Sequence, residues 1–162
     1  MAGNDHESKD HLFATNHKAH RDYVILETHE AGLELKGTEI KSIRRHAVSL
    51  DDSFARVDEG ELFLYNMHIS PYAQGGRYNA DPIRPRKLLM HRKEIERLVG
   101  LLTRQRMTLV PLRLYEKHGF AKVALAVVKG KRVFEKRETI HERETDREIQ
   151  RALRTRQKRP RM

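Results

Sequence analysis

The chain has 162 residues, with 33 Lys and Arg against 23 Asp and Glu, a formal charge of +10 and no cysteine. Disulfides, thiolate nucleophiles and cysteine-bearing zinc sites are therefore excluded, and no apolar run approaches the ~20 residues that cross a bilayer. The first 20 residues are polar and mixed in charge, without the apolar segment of a signal peptide, so the expectation is a soluble, cytoplasmic protein whose surplus charge suits a polyanion, either nucleic acid or an anionic membrane face.

That charge is unevenly placed. Residues 1–128 hold 20 basic and 17 acidic side chains, whereas residues 129–162 hold 13 and 6. From Ile149 onward there are six basic residues and no acid. A nearly balanced body thus carries a cationic tail, which reads either as a solvated end or as an arm that neutralises phosphates.

In chain order, residues 1–13 lack periodicity and are expected to be a loose leader. Tyr23–Leu26 fits a buried strand, Glu27–Gly32 a turn, and Leu33–Lys36 a return to extended chain. Ile40, Ile43 and Ala47 carry helical spacing after Thr38, a candidate N-cap. Ser53–Val57 and Leu62–Ile69 flank Asp58-Glu59-Gly60-Glu61 as a hairpin, with Phe63, Tyr65, Met67 and Ile69 expected on one face. Ser70–Pro85, with three prolines and two glycines, is a long loop. Leu88–Arg104 predicts a helix whose core stripe is Ile95, Leu98, Val99 and Leu102.

Met107–Tyr115 and Phe120–Val128 form a second predicted hairpin, with Pro111 marking an edge or a bulge. Beyond Val128, Ile140, Ile149 and Leu153 are too sparse to anchor a helix alone, so the tail is expected to be poorly ordered when unbound. Hairpins, two helices and no βαβ alternation predict a mainly β fold with flanking helices, a small barrel or curled sheet; an oligonucleotide-binding-type β-barrel is the natural candidate.

Catalytic patterns are weak. His17 and His20 lack a third ligand of comparable spacing, and Gly75-Gly76 lacks the context of a phosphate loop. Ser42, Ser49, Ser53 and Ser70 lack a nucleophile elbow. Nucleic acid is better supported. Arg84, Arg86 and Lys87 follow a loop holding Tyr72, Arg77 and Tyr78, so phosphate-neutralising cations alternate with rings that stack on unpaired bases. Lys41 and Arg44 share a helical face, and Lys122 sits on a strand face with Phe120 and Ala124.

The runs NHKAHRDYVILETHEAGLELKGTEIKSIR (16–44), RPRKLLMHRKEIERL (84–98), LRLYEKHGFAKVALAVVKGK (112–131) and EKRETIHERE (135–144) resemble, collinearly, the tmRNA-binding small protein B (SmpB) family. The resemblance implies an oligonucleotide-binding-type barrel over residues 16–130, a flexible leader over 1–15, and a basic ribosome-interacting tail over 131–162 that is disordered when free and helical on the ribosome. It implies a non-enzymatic adaptor of trans-translation, needing no cofactor and no metal, and monomeric. Its partners would be the tRNA-like domain of tmRNA, the decoding centre and mRNA channel of a stalled 70S ribosome, and elongation factor Tu through the shared tmRNA, with no membrane.

By motif match, the family's RNA-binding glutamate, leucine and lysine fall on Glu30, Leu89 and Lys122. With Lys41, Ser42, Arg44, Arg86 and Lys87 they complete the candidate RNA-binding set. The tail set is Lys129, Lys131, Arg132, Glu135, Lys136, Arg137, Arg143, Arg147, Arg151 and Arg154. Glu135 stands where the family carries aspartate, Thr145 where an aromatic is frequent, and Arg45-His46 where a small residue and glycine are usual. The alternatives are a general ribosomal or single-strand RNA-binding protein without tmRNA specificity, and a ribonuclease using His20 or His118.

Overall fold

The computed structural model describes residues 11–131 and the helical segment 133–157, of which the side chains of 140–154 are included. Six antiparallel strands close into a ring: β4 (Phe54–Asp58), β5 (Glu61–Tyr65), β7 (Arg86–Leu89), β2 (Tyr23–Leu33), β9 (Phe120–Gly130) and β8 (Thr108–Lys117). A single bridge, Ala55 opposite Leu109, joins β4 to β8 and completes the ring. A short strand, β1 (His11–Thr15), adds to the outer edge of β8, and β3 (Val48–Ser49) pairs with β6 (His68–Ile69). The expected ring of strands with flanking helices is therefore present.

The ring is filled from alternating positions. Ala31, Leu33, Leu62, Leu64, Leu88, Leu109, Leu114, Val123, Leu125 and Val127 point inward with Ile43, Ile95 and Leu98 from the helices. The opposite face of β8 and β9 buries Val110, Leu112, Tyr115, Ala124, Ala126 and Val128 beneath α1 (His17–Asp22) through Ala19. Strands covered on both faces read as continuous apolar runs, which is why LAVV of β9 lacks alternation.

Several expectations are corrected. The leader ends earlier than residue 15: His11–Thr15 pairs with β8 and buries Phe13. Nor is Glu27–Gly32 a turn; it continues β2, because the ladder to β9 runs unbroken from Glu27 to Gly32 and pairs the backbone along that edge. Gly32 suits that position because a Cβ there would lie only 3.2 Å from Leu89 Cβ on the neighbouring strand, a contact that Leu89 would have to shift to relieve.

Thr38 is not the cap of α2 (Gly37–Arg44). Lys36 is, and its N–H donates to Glu39 Oε1 at 3.0 Å while the Thr38 hydroxyl donates to Tyr78 O. Ile40 is exposed, leaving Ile43 as the core contact. β5 stops at Tyr65, because Asn66 turns the chain at φ 61°; Leu62 and Leu64 therefore point inward ahead of the turn, with Met67 and Ile69 buried after it. Leu88 belongs to β7 rather than to a helix, and α3 begins at Arg92, running to Gln105 with Ile95 and Leu98 buried and Val99 exposed. Pro111 does sit at a bulge, between Pro111 and Arg113.

Two side chains compensate for awkward backbone. Buried Asn16 caps α1 by accepting from Ala19 N–H, while its own amide donates to Pro111 O at 3.0 Å and its backbone N–H donates to Leu112 O, stitching the helix to the bulge. His46 takes the left-handed conformation (φ 59°) that ends α2, where the resembled family places glycine. Its ring lies against His11 and Phe13, with Nδ1 3.2 Å from Phe13 O, so the strained residue also holds β1 in place.

The C-terminal segment Val133–Gln157 is one helix, α4. All its described side chains, Ile140 to Arg154, are exposed. Good helix formers such as Glu, Arg, Gln and Ala sustain it rather than burial.

The most buried charges form one cluster. Arg86, wholly inaccessible, donates to Glu39 Oε2 at 2.6 Å, to Met67 O and to Pro82 O. Arg84 donates to Glu39 Oε1. Burial pushes the Glu39 carboxyl up, but bonds from Arg84, the Lys36 N–H and Arg86 outweigh it and leave it below its ordinary value. Glu39 thus stabilises the fold above the usual carboxylate range, and this stability is lost as pH falls through the depressed value. Removing one partner of a buried pair costs about 3–5 kcal/mol, so Arg86→Ala is expected to lower stability by about that amount in urea denaturation. Glu39→Gln is expected to flatten the loss of stability below about pH 4.

Candidate nucleic-acid interface

On β2, Glu30 and Gly32 point away from the ring because their neighbours Ala31 and Leu33 point into it. The same alternation turns Lys122 outward beside Val123. Register then aligns Leu89, Gly32, Lys122 and Tyr115 across four adjacent strands. Leu89 lies over the bare Gly32 position, its Cδ1 3.6 Å from where a Cβ would stand, and its outer side remains half exposed.

Glu30 lies two residues before Gly32 on this face. Its carboxylate accepts from the Tyr115 hydroxyl and pairs with Lys117 Nζ at 3.3 Å. The Tyr115 bond, helped by Lys117 and Lys122, holds the Glu30 carboxyl below its ordinary value despite some desolvation. Glu30 is therefore an anion that aims Lys117, in a strand and not in the turn expected. Among the described residues Lys122 forms no salt bridge, so its ammonium is available to an incoming phosphate. The Arg113 guanidinium lies 5.8 Å from the Tyr115 ring centroid, extending the basic edge.

A second basic surface belongs to α2 and the 70–85 loop. Lys41 Nζ and Arg45 Cζ lie 5.3 Å and 4.7 Å from the Tyr72 ring centroid, and Arg77 lies 5.2 Å from that of exposed Tyr78. Lys41, Tyr72 and Tyr78 border a groove of about 370 Å³. Arg44 reaches Glu116 at 3.6 Å, tying α2 to the end of β8.

Two sequence candidates are corrected. Ser42 is buried and Arg86 is spent on Glu39, so neither presents a polar group to a polyanion. Lys87 is accessible but paired with Glu61 at 2.8 Å. In the tail set, Lys129 lies within β9 opposite Val24, and Lys131 N–H and Nζ donate to Asp22 O and His20 O; both residues are attached to the barrel. Arg132 lies outside the described residues, and Glu135, Lys136 and Arg137 fall within α4. Arg143, Arg147, Arg151 and Arg154 are exposed on α4, and Arg143 also donates to His20 O at 3.3 Å.

Sequence reasoning missed Tyr115 and Lys117. Alternation along β8 would have placed them beside Lys122, but the extra residue at the Pro111–Arg113 bulge reverses the parity that such a reading uses.

The SmpB protein family model matches residues 13–155. The chain belongs to the SmpB family. It is 63% identical over 147 residues to the SsrA-binding protein of Geobacillus kaustophilus, covering 91% of this chain and 95% of that one. The SsrA-binding protein of Carboxydothermus hydrogenoformans is 57% identical over 145 residues, covering 90% and 97%. A solved structure described as "tmRNA-SmpB: a journey to the center of the bacterial ribosome" contains a chain 49% identical to this SmpB member, with a TM-score of 0.63, covering 74% of this chain and 85% of that one. SmpB proteins are non-enzymatic RNA-binding proteins, and no described helix of this one is long and apolar enough to cross a membrane.

The Tyr115 bond to Glu30 makes a direct prediction. In Tyr115→Phe the Glu30 carboxyl should titrate at higher pH than in the parent, as followed by side-chain carbon chemical shifts. An unchanged titration would show that Tyr115 does not hold the anion.

Proposed function

We propose that this chain is the RNA-binding adaptor of trans-translation: it grips the tRNA-like domain of tmRNA and accompanies it into the A site of a stalled ribosome. Its tail would take the decoding centre and empty mRNA channel, so that the unfinished peptide is tagged and the ribosome released. The observation that carries the reading is the outward row of Leu89, Gly32 and Lys122 beside the Glu30–Tyr115–Lys117 cluster. The motif-matched glutamate, leucine and lysine, far apart in sequence, there share one accessible face of a strand ring. Oligonucleotide-binding-type barrels use such sheet faces for nucleic acid.

Each residue then has a role. Lys122 neutralises phosphate, Lys117 is aimed by Glu30, and Leu89, seated over Gly32, offers an apolar contact. The basic face of α2, with Lys41 and Arg44, adds a second phosphate-contacting surface. Elongation factor Tu would be met through the shared tmRNA, and the adaptor would act in the cytoplasm as a monomer.

The tail completes the mechanism. As a helix, its 25 residues extend about 37 Å, enough to run along an RNA-lined channel. With no buried apolar stripe among its described side chains it would be marginal alone, and phosphates meeting Arg147, Arg151 and Arg154 would offset its ordering cost. The working division is thus a barrel body from the leader's end to Lys131, and a tail beyond it that orders on the ribosome.

Lys122→Ala should bind tmRNA roughly tenfold more weakly at moderate salt. Its slope of log affinity against log salt should fall by about 1, with an unchanged melting transition. Equal affinity of the parent for tmRNA and an unrelated single-stranded RNA would instead favour general RNA binding. Truncation after Lys131, which preserves the β2–β9 ladder, should spare tmRNA binding and abolish tagging in a reconstituted translation assay. Tagging by the truncated chain would refute the tail's role.

A further inference from the structure

The hairpin between β8 and β9 turns through His118 and Gly119, both in the left-handed region at φ 51° and 79°. Two such residues in succession make a tight turn whose twist matches the strands, so the tip is rigidly placed. Directly after it stands Phe120, 69% exposed. A phenyl ring in that position gains nothing for the fold: burial of an aromatic is among the larger stabilising terms available, and here it is forgone.

The surroundings of Phe120 say what the ring is suited to. It pairs across the ladder with Lys117 and lies two residues before Lys122 on the same face, with Glu30 and Tyr115 behind. Its setting is cationic and polar rather than a broad apolar patch, which fits a flat, charged partner better than a protein surface. A nucleotide supplies both parts, a π-face for the ring and a phosphate for the lysines.

We propose that Phe120 is a base-stacking residue, which receives one unpaired base of the bound RNA while Lys117 and Lys122 hold its flanking phosphates. The proposal rests on the RNA-binding reading of this face and adds a contact that the Glu30, Leu89 and Lys122 match does not contain. Stacking on a π-face is tolerant of base identity, so the contact fixes the position of an unstacked nucleotide instead of reading its edge. The free ring waits at a fixed place on a rigid turn, so little ordering is needed when the base arrives.

The chain contains no tryptophan, so Phe120→Trp introduces a single fluorophore at the contact itself. On titration with the isolated tRNA-like domain of tmRNA, its emission should be quenched, with affinity equal to or tighter than that of the parent. Phe120→Ala should bind about tenfold more weakly with an unchanged salt slope, because no cation is lost, and Phe120→Leu should not restore binding. Exposure of the side chain predicts unchanged melting for each variant. If Phe120→Ala binds within twofold of the parent while Lys122→Ala is weakened, the stacking role is overturned and the RNA-binding face stands. If the tryptophan emission does not change on binding, the ring does not meet a base. If neither Lys122→Ala nor Phe120→Ala alters affinity, the face itself is not the RNA site, and the stacking role falls with it.

Discussion

The arrangement depends on a carboxylate held between two guanidinium groups. Glu39 closes the first turn of α2 by accepting the Lys36 N–H, and its other contacts reach Arg84 and Arg86 on the far side of a long loop. Arg86 in turn binds Met67 O and Pro82 O, so α2, the β5–β6 connection, the 70–85 loop and β7 meet at one buried point. Replacing such a cluster by apolar residues can cost nothing, yet charge and fixed fork geometry confer direction that apolar packing lacks. What the cluster fixes here is orientation: the loop carrying Tyr72 and Tyr78 stays against α2, and β7 presents Leu89 opposite Gly32.

The same cluster shows where the sequence was and was not legible. Arg86 lies in a run of basic residues after an aromatic loop, and chemistry at the sequence level reads that run as one RNA-facing unit. The fold divides it. Strand alternation sends Arg86 to the interior and Lys87 outward, and Arg86 meets Glu39 only because the ring brings together residues 47 positions apart. Local patterns did locate the two hairpins, α2 and most of α3, since these rest on nearest-neighbour periodicity and turn chemistry. They failed for β2, where glycine and polar residues look like a turn until β9 supplies a complete ladder. They also failed past Asn66, where one residue out of phase exchanges inside for outside, whereas Pro111 did mark its bulge.

The candidate site was legible by another route. Glu30, Leu89 and Lys122 were found by resemblance, and only the register explains why they lie together: three neighbouring strands place them around a residue without a side chain. Tyr115 and Lys117 belong to the same unit, yet no spacing links them to Glu30, which is 85 residues away from Tyr115. Sites assembled across a sheet are poorly visible in linear sequence, because cross-strand neighbours depend on topology.

Charge pairing gives the body and tail different physical characters. On the barrel many cations are already matched, as in Lys18 with Asp52, Arg56 with Asp58, Lys87 with Glu61 and Arg97 with Glu27. Others, Lys41, Arg45, Arg77 and Lys122 among them, form no salt bridge among the described residues, so the body keeps cations that can displace counterions beside rings that can stack. In the tail the described side chains, Ile140 to Arg154, are all exposed, and from Ile149 onward the sequence holds six basic residues and no acid. In the proposed function the tail's arginines would therefore gain most where phosphates are dense on every side, as inside a channel of ribosomal RNA.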